Sequence, residues 1–250
     1  MPEFKYEIIT GKDRPDLSQL NQTVTHVSWP EFMFHDPVSE LFVDLFEKFP
    51  EYQFSFVEPG TDNVIVLGNC IPLAFGGAPE DLPDTGWDWA LQKGVSDFNK
   101  KVKPNILSAL QIVVANDYRG QGLSSIAVDK MKDIGRARGF KAMVAPVRPN
   151  SKSLYPLTPM ERFIRWQTQD NLPFDPWLRV HAKSGAGLIK VCHNAMRIPG
   201  TIAQWEEWTQ MRFPESGKYI VPGALNPVRI DIENDQGLYI EPNVWMYHPL

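Results

Sequence analysis

The chain has 250 residues and a formal net charge of −5, with ordinary globular shares of hydrophobic (43%) and charged (22%) residues. That length holds one packed core, or a core with a modest appendage. The acidic balance argues against a general binder of nucleic acid or membrane surface, because such a binder needs a basic face.

Met1-Pro2-Glu3-Phe4-Lys5 lacks the charged and apolar regions of a signal peptide. No apolar run approaches the roughly 20 residues that span a bilayer. Cys70 and Cys192 stand in no metal-ligand spacing and suggest no disulfide framework. A soluble, cytoplasmic protein without a metal is expected. The 22 prolines predict rigid connections and abrupt helix ends.

In chain order, residues 6–10 read as a short strand and 16–27 as a helix. Asp36-Pro37 places an N-cap and a first-turn proline before a helix whose Leu41, Phe42, Leu45, Phe46 and Phe49 share a face. Residues 52–57 alternate as a strand, and 63–67, extending to 74, read as its neighbour. Residues 87–102 form a helix.

Residues 106–114, ILSALQIVV, make the most apolar strand of the chain, which suggests burial on both faces. An amphipathic helix covers 123–138, with Leu123, Ile126, Ala127, Met131 and Ile134 on one face and Gly139 at its C-cap. Residues 141–147 form the next strand. Strand, tight turn, helix and strand make a βαβ unit with parallel strands. Further on, 161–168 reads as helix, 188–196 as strand and 201–211 as a Trp-rich helix. Short late strands are expected at 219–221, 228–232 and 238–240.

The turn between 114 and 123 reads Ala115-Asn116-Asp117-Tyr118-Arg119-Gly120-Gln121-Gly122. Two glycines one residue apart let backbone N–H groups converge without Cβ obstruction. The helix that follows adds its positive end, so the turn suits a pyrophosphate. No Gly-Lys-Ser/Thr ending marks an ordinary P-loop, and the order does not fit GxGxxG. A tight connection without a ligand is the alternative.

Tyr118-Arg119-Gly120-Gln121-Gly122-Leu123 resembles the acyl-CoA signature of the GNAT N-acyltransferases, Gln/Arg-x-x-Gly-x-Gly/Ala. Gly120 and Gly122 fit it, and Asp117 stands at the usual Gln/Arg position. The order of elements over about residues 6–195 is similar to that family as well.

The resemblance implies an α/β fold: a mixed, mostly antiparallel sheet with a splayed parallel strand pair and flanking helices. It implies one domain over 1–250, with a core at about 6–195 and a C-terminal extension at about 196–250 packed on it. It implies acetyl-CoA or another acyl-CoA as co-substrate and an amine of a small molecule or peptide as acceptor. A non-catalytic acyl-CoA-binding module is the alternative, and a different nucleotide-binding α/β protein is a third reading.

For the cofactor, the resemblance points to Ile112, Val113 and Val114 along the pantetheine arm. Arg119, Gly120, Gln121, Gly122, Leu123 and Ser124 would surround the pyrophosphate, with Asn150 and Ser151 near the arm. Arg148 and Lys152 are further candidates for phosphate charge. Tyr155 is the candidate general acid for the leaving thiolate. Asp175, His181 and Glu161 are candidate bases.

Cys192-His193 suggests a thiol hydrolase, but neighbours on a strand point to opposite faces, so a structural cysteine is the better reading. For the tail around Trp205, Trp208 and Trp245, core packing is the default. A substrate lid and a homodimer seam are the alternatives.

Overall fold

A computed structural model describes residues 5–250; the opening segment read for a signal peptide lies almost wholly outside the described residues. The strands are β1 Glu7–Thr10, β2 Gln53–Val57, β3 Val64–Leu73, β4 Ile106–Val114, β5 Ala142–Val147, β6 Gly187–Gly200, β7 Gly217–Tyr219, β8 Val228–Asp231 and β9 Gln236–Pro249. The helices are α1 Leu17–Thr25, α2 Val43–Lys48, α3 Gly86–Asn99, α4 Leu123–Ala137, α5 Met160–Phe163, α6 Pro176–Lys183 and α7 Ile202–Thr209.

Among the described residues, nine strands join one sheet in the order β1-β2-β3-β4-β5-β9-β8-β7, with β6 paired to β9. Every pairing is antiparallel except β4 with β5. The fold is therefore the mixed sheet with flanking helices that the resemblance implies.

Cross-strand register assigns the two faces. Pro72, Leu107, Met143 and His248 share one face with Cys70, Ala109, Val147 and Val244. This face lies under α4 and α6: a Cβ at Gly135 of α4 would meet Leu107, and His181 of α6 reaches His248.

Ile106, Ser108, Val144 and Trp245 share the opposite face with Cys192, Asn243, Glu241 and Tyr239. This face lies under α3: Gly86 abuts Cys192, and Trp245 Nε1 donates to Pro83 O at 2.8 Å from the segment that enters α3.

Several expected elements differ. The helix expected from Asp36 opens as a 3₁₀ segment, Pro37–Phe42, and turns α-helical only at Val43. The 161–168 helix stops after one turn at Phe163, because the chain folds back: Phe174 N donates to Trp166 O, and the rings of Trp166 and Phe174 close on Tyr155.

α6 gave no periodic run, although Asp175-Pro176 is the same cap-plus-proline start as Asp36-Pro37; Asp175 accepts from Trp177 N and Leu178 N. The strand expected at 238–240 is 14 residues long and runs through Pro242.

This last difference redraws the expected division of the chain. A boundary at 195/196 falls inside β6, and β9 sits between β5 and β8 in the sheet. The segment after 196 thus supplies a central strand. It is not an extension laid over a finished core.

Candidate active site

β4 and β5 pair at only two positions, Leu107–Met143 and Ser108–Val144, and then part. The separation coincides with a bulge. Asn69 of β3 faces Gln111 and Cys70 faces Ala109, so Leu110 is an extra residue on β4. Its carbonyl accepts from Trp87 Nε1 at 3.1 Å, from the first turn of α3. Beyond the bulge, Gln111, Ile112, Val113 and Val114 stay paired to β3 on one edge and have no β5 partner on the other. That open edge can hydrogen-bond an extended chain lying in the split.

The split opens toward the turn that starts α4. Gly120 and Gly122 have φ of +80° and +78°, and Gly122 is the left-handed N-cap of α4. Among the described residues, the N–H groups of Gly120, Gln121, Gly122, Leu123 and Ser124 donate to no protein acceptor. Five consecutive free amides at a helix start, on an exposed turn, form an anion-binding nest. Arg119 is exposed beside it, its Nε donating to Val114 O at 3.3 Å. Asp117 is also exposed, in the 3₁₀ turn Asn116–Tyr118.

Other candidates are placed differently. Arg148 is occupied: its Nε meets Glu241 at 2.8 and 3.0 Å, and its Nη2 donates to Gly223 O at 2.6 Å. Lys152 is fully buried, with Nζ donating to Tyr155 O and Leu225 O; burial lowers it to about 8. Both cations tie loops together and face no open phosphate site. Ser151 N donates to Asp175 at 2.7 Å, and Asn150 is exposed at the turn after β5.

Among the candidate bases, Asp175 is buried and receives three backbone N–H groups, so its lone pairs are spent on capping α6 and holding Ser151. His181 is buried against His248, Nδ1 to Nε2 at 2.9 Å, and burial with the neighbouring imidazole holds it down to about 3. A ring so placed is a poor base, and its role is to pack α6 on the sheet. Glu161 forms an exposed pair with His193 at 3.0 Å. Cys192 points the other way into the core, its thiol pushed up to about 12 by burial, so no cysteine–histidine dyad exists here.

Tyr155 lies eight residues beyond β5, its ring held by Phe163, Trp166 and Phe174. Its hydroxyl makes no hydrogen bond among the described residues.

Sequence reasoning missed a group on the opposite face. Asp36 caps the 3₁₀ segment that packs on α3, and Asp88 stands in the first turn of α3, near enough for the two carboxyls and Glu241 to influence one another. Burial raises both aspartates above the usual carboxylate range, and the charge of Asp36 adds to the rise at Asp88. In the sequence Asp36 read as an N-cap, which it is, and Asp88 carried no signal of its own; only the fold brings them together.

The "Acetyltransferase (GNAT) family" model matches residues 22–157, over half of the chain. The chain belongs to the GNAT acetyltransferase family. The arginine N-acetyltransferase avaD of Aspergillus versicolor is 32% identical over 98% of this chain and 94% of that protein.

Among solved structures, the loading GNATL domain of CurA from Lyngbya majuscula superposes with a TM-score of 0.62 at 17% identity, covering 98% of each chain. A GphF GNAT-like decarboxylase in complex with isobutyryl-CoA gives 0.60 at 15% identity, over 97% of this chain and 98% of that one. These two likenesses concern the fold. Taken together, the family match and the relative make this GNAT protein an enzyme that moves an acyl group from an acyl-CoA to an amine.

Proposed function

We propose that the protein is an acetyl-CoA-dependent N-acetyltransferase whose acceptor is a cationic, arginine-like amine. The observation that carries the cofactor half is the split between β4 and β5 leading to the free amides of residues 120–124. The pantetheine arm pairs with the open edge of Ile112, Val113 and Val114. The pyrophosphate takes the N–H groups of Gly120, Gln121, Gly122, Leu123 and Ser124, with Arg119 as flanking cation, and Asn150 and Ser151 border the arm.

The acceptor half rests on the relative that acetylates arginine. The two cysteines are buried and free, which suits a reducing, cytoplasmic setting.

In the reaction the neutral amine nitrogen attacks the thioester carbonyl carbon. The C–N bond forms, the carbonyl oxygen takes up the charge, and an outward N–H of the open β4 edge stabilises it. Collapse breaks the C–S bond. The amine's proton passes to solvent, and Tyr155 protonates the departing thiolate. The support for Tyr155 is its position beyond β5 and its unengaged hydroxyl.

Thiol release from acetyl-CoA, measured with arginine, agmatine, lysine and a neutral amine, tests the function. Turnover with cationic acceptors is expected; CoA binding without turnover across that panel would favour a non-catalytic module. Tyr155→Phe is expected to lower kcat about 10-fold or more with KM for acetyl-CoA unchanged. A wild-type rate would remove Tyr155 from the mechanism.

A further inference from the structure

The carboxyl pair Asp36–Asp88 stands on the sheet face opposite the pyrophosphate turn. Asp88 follows Trp87, the residue that seals the Leu110 bulge where β4 and β5 part. The pair therefore lies on the α3 face of the sheet, one residue from the Trp87 that contacts the split, and across the sheet from the pyrophosphate turn. An acceptor approaching from the α3 side would come past this pair toward a thioester held in the split.

The two acids are not equivalent. Asp36 is fully engaged: Oδ1 accepts from Val38 N at 2.7 Å and Oδ2 from Arg197 N at 3.0 Å. Asp88 is 9% exposed, and its Oδ1 is buried without a hydrogen-bond partner among the described residues. An unsatisfied buried carboxyl oxygen costs about 1–3 kcal/mol, so this oxygen contributes nothing to folding.

The guanidinium of Arg148, on the same side of the sheet, is bound to Glu241 and Gly223 O. With Glu241 already paired to Arg148, the idle oxygen of Asp88 beside the Asp36 carboxyl is an acceptor that a further multiply donating cation can fill. A planar guanidinium donates to the idle oxygen of Asp88 and brings a positive charge to the pair, and a carbonyl-rich or anionic group does neither.

We infer that Asp88, backed by Asp36, is the subsite that binds the cationic end of the acceptor and sets its specificity for guanidinium over neutral groups. This rests on the proposed transfer to an arginine-like amine and adds the residues that would select it.

L-Arginine and L-citrulline differ by a guanidinium against a neutral urea of the same shape. Wild type should turn over arginine with kcat/KM about 30-fold or more above citrulline. Asp88→Asn should remove most of that preference, mainly through KM for arginine, while citrulline changes less than about 3-fold. Calorimetric binding of the same two ligands to the CoA-loaded protein gives a readout independent of chemistry.

If arginine binds selectively and Asp88→Asn abolishes the selectivity while no thiol is released, the subsite stands and the transfer reading fails. If Asp88→Asn leaves arginine turnover unchanged, or lowers arginine and citrulline equally, the subsite fails and the transfer reading stands. Equal use of both ligands by the wild type also overturns the subsite, and that comparison needs no variant. Asp36→Asn is a poorer probe, because Asp36 holds Val38 and Arg197 in place.

Discussion

Trp87 Nε1 donates to the carbonyl oxygen of Leu110 at 3.1 Å, at the one residue of β4 that has no partner on β3. The bond ties the first turn of α3 to the strand split, so the position of α3 and the shape of the split are not independent. Trp87→Phe keeps most of the ring, which stacks on Phe42, and removes the donor. The expected outcome is a stability loss of about 1–2 kcal/mol by urea unfolding, with kcat reduced more than KM for acetyl-CoA. Unchanged kcat in folded protein would separate the bulge from the chemistry.

Gly120→Ala and Gly122→Ala test the nest by backbone alone. No atom lies within 4 Å of an added Cβ at either site, so crowding within the protein is not the mechanism. The positive φ is: alanine at +80° or +78° costs about 1–2 kcal/mol and turns the amides away. KM or Kd for acetyl-CoA should rise about 10-fold with little change in kcat. Unchanged affinity for CoA would count against the whole placement of the cofactor.

Much of the central unit was legible because its signals are local. Residues 106–114 were apolar enough to mark a buried strand, and Gly120 and Gly122 marked the turn without long-range information. α4 followed from periodicity. What was not legible depends on pairing. Pro242 broke the pattern of the last strand, yet β9 continues through it, because Glu241, Asn243 and Val244 are held by β6 and Val244 also by β5. Lys152 and Arg148 read as candidates for phosphate charge, and only the fold shows their carbonyl and carboxylate partners. Asp36 and Asp88 are 52 residues apart in sequence, and no periodicity links them.

The place of β9 makes truncation informative. A chain ending at Pro199 loses β7, β8 and β9, including every hydrogen bond that β5 makes on its outer edge. It also loses Trp245 and Tyr239, both fully buried. Each buried aromatic contributes about 3–5 kcal/mol by truncation, against a total stability of about 5–15 kcal/mol. The truncated protein should show no cooperative thermal transition and no CoA binding. A folded, active product would mean that residues 200–250 are dispensable, contrary to their position in the sheet.

Stability against pH should reveal two buried pairs of opposite sign. Burial holds His181 down to about 3 and His248 to about 4, against an ordinary imidazole value of 6.5. The unfolded chain therefore binds more protons than the folded one below pH 6.5, and stability falls as pH drops from there through 4. Asp88 behaves oppositely. Its folded value lies above its ordinary value of 3.8, so the folded state binds the extra proton and stability falls as pH rises through the folded value. A tenfold difference in proton affinity between the folded and unfolded chain corresponds to about 1.4 kcal/mol. The two histidines set the acid limb, and the raised carboxyls of Asp88, Asp36 and Glu241 work against it and set the fall above it. Lys152, lowered to about 8, acts in the sense of the histidines only beyond that value, so the unfolding midpoint in urea should peak near the ordinary imidazole value. His248→Gln should flatten the acid limb, and Asp88→Asn should flatten the alkaline limb while leaving the acid limb in place. An alkaline limb that survives Asp88→Asn would show that the carboxyl pair does not carry the buried proton.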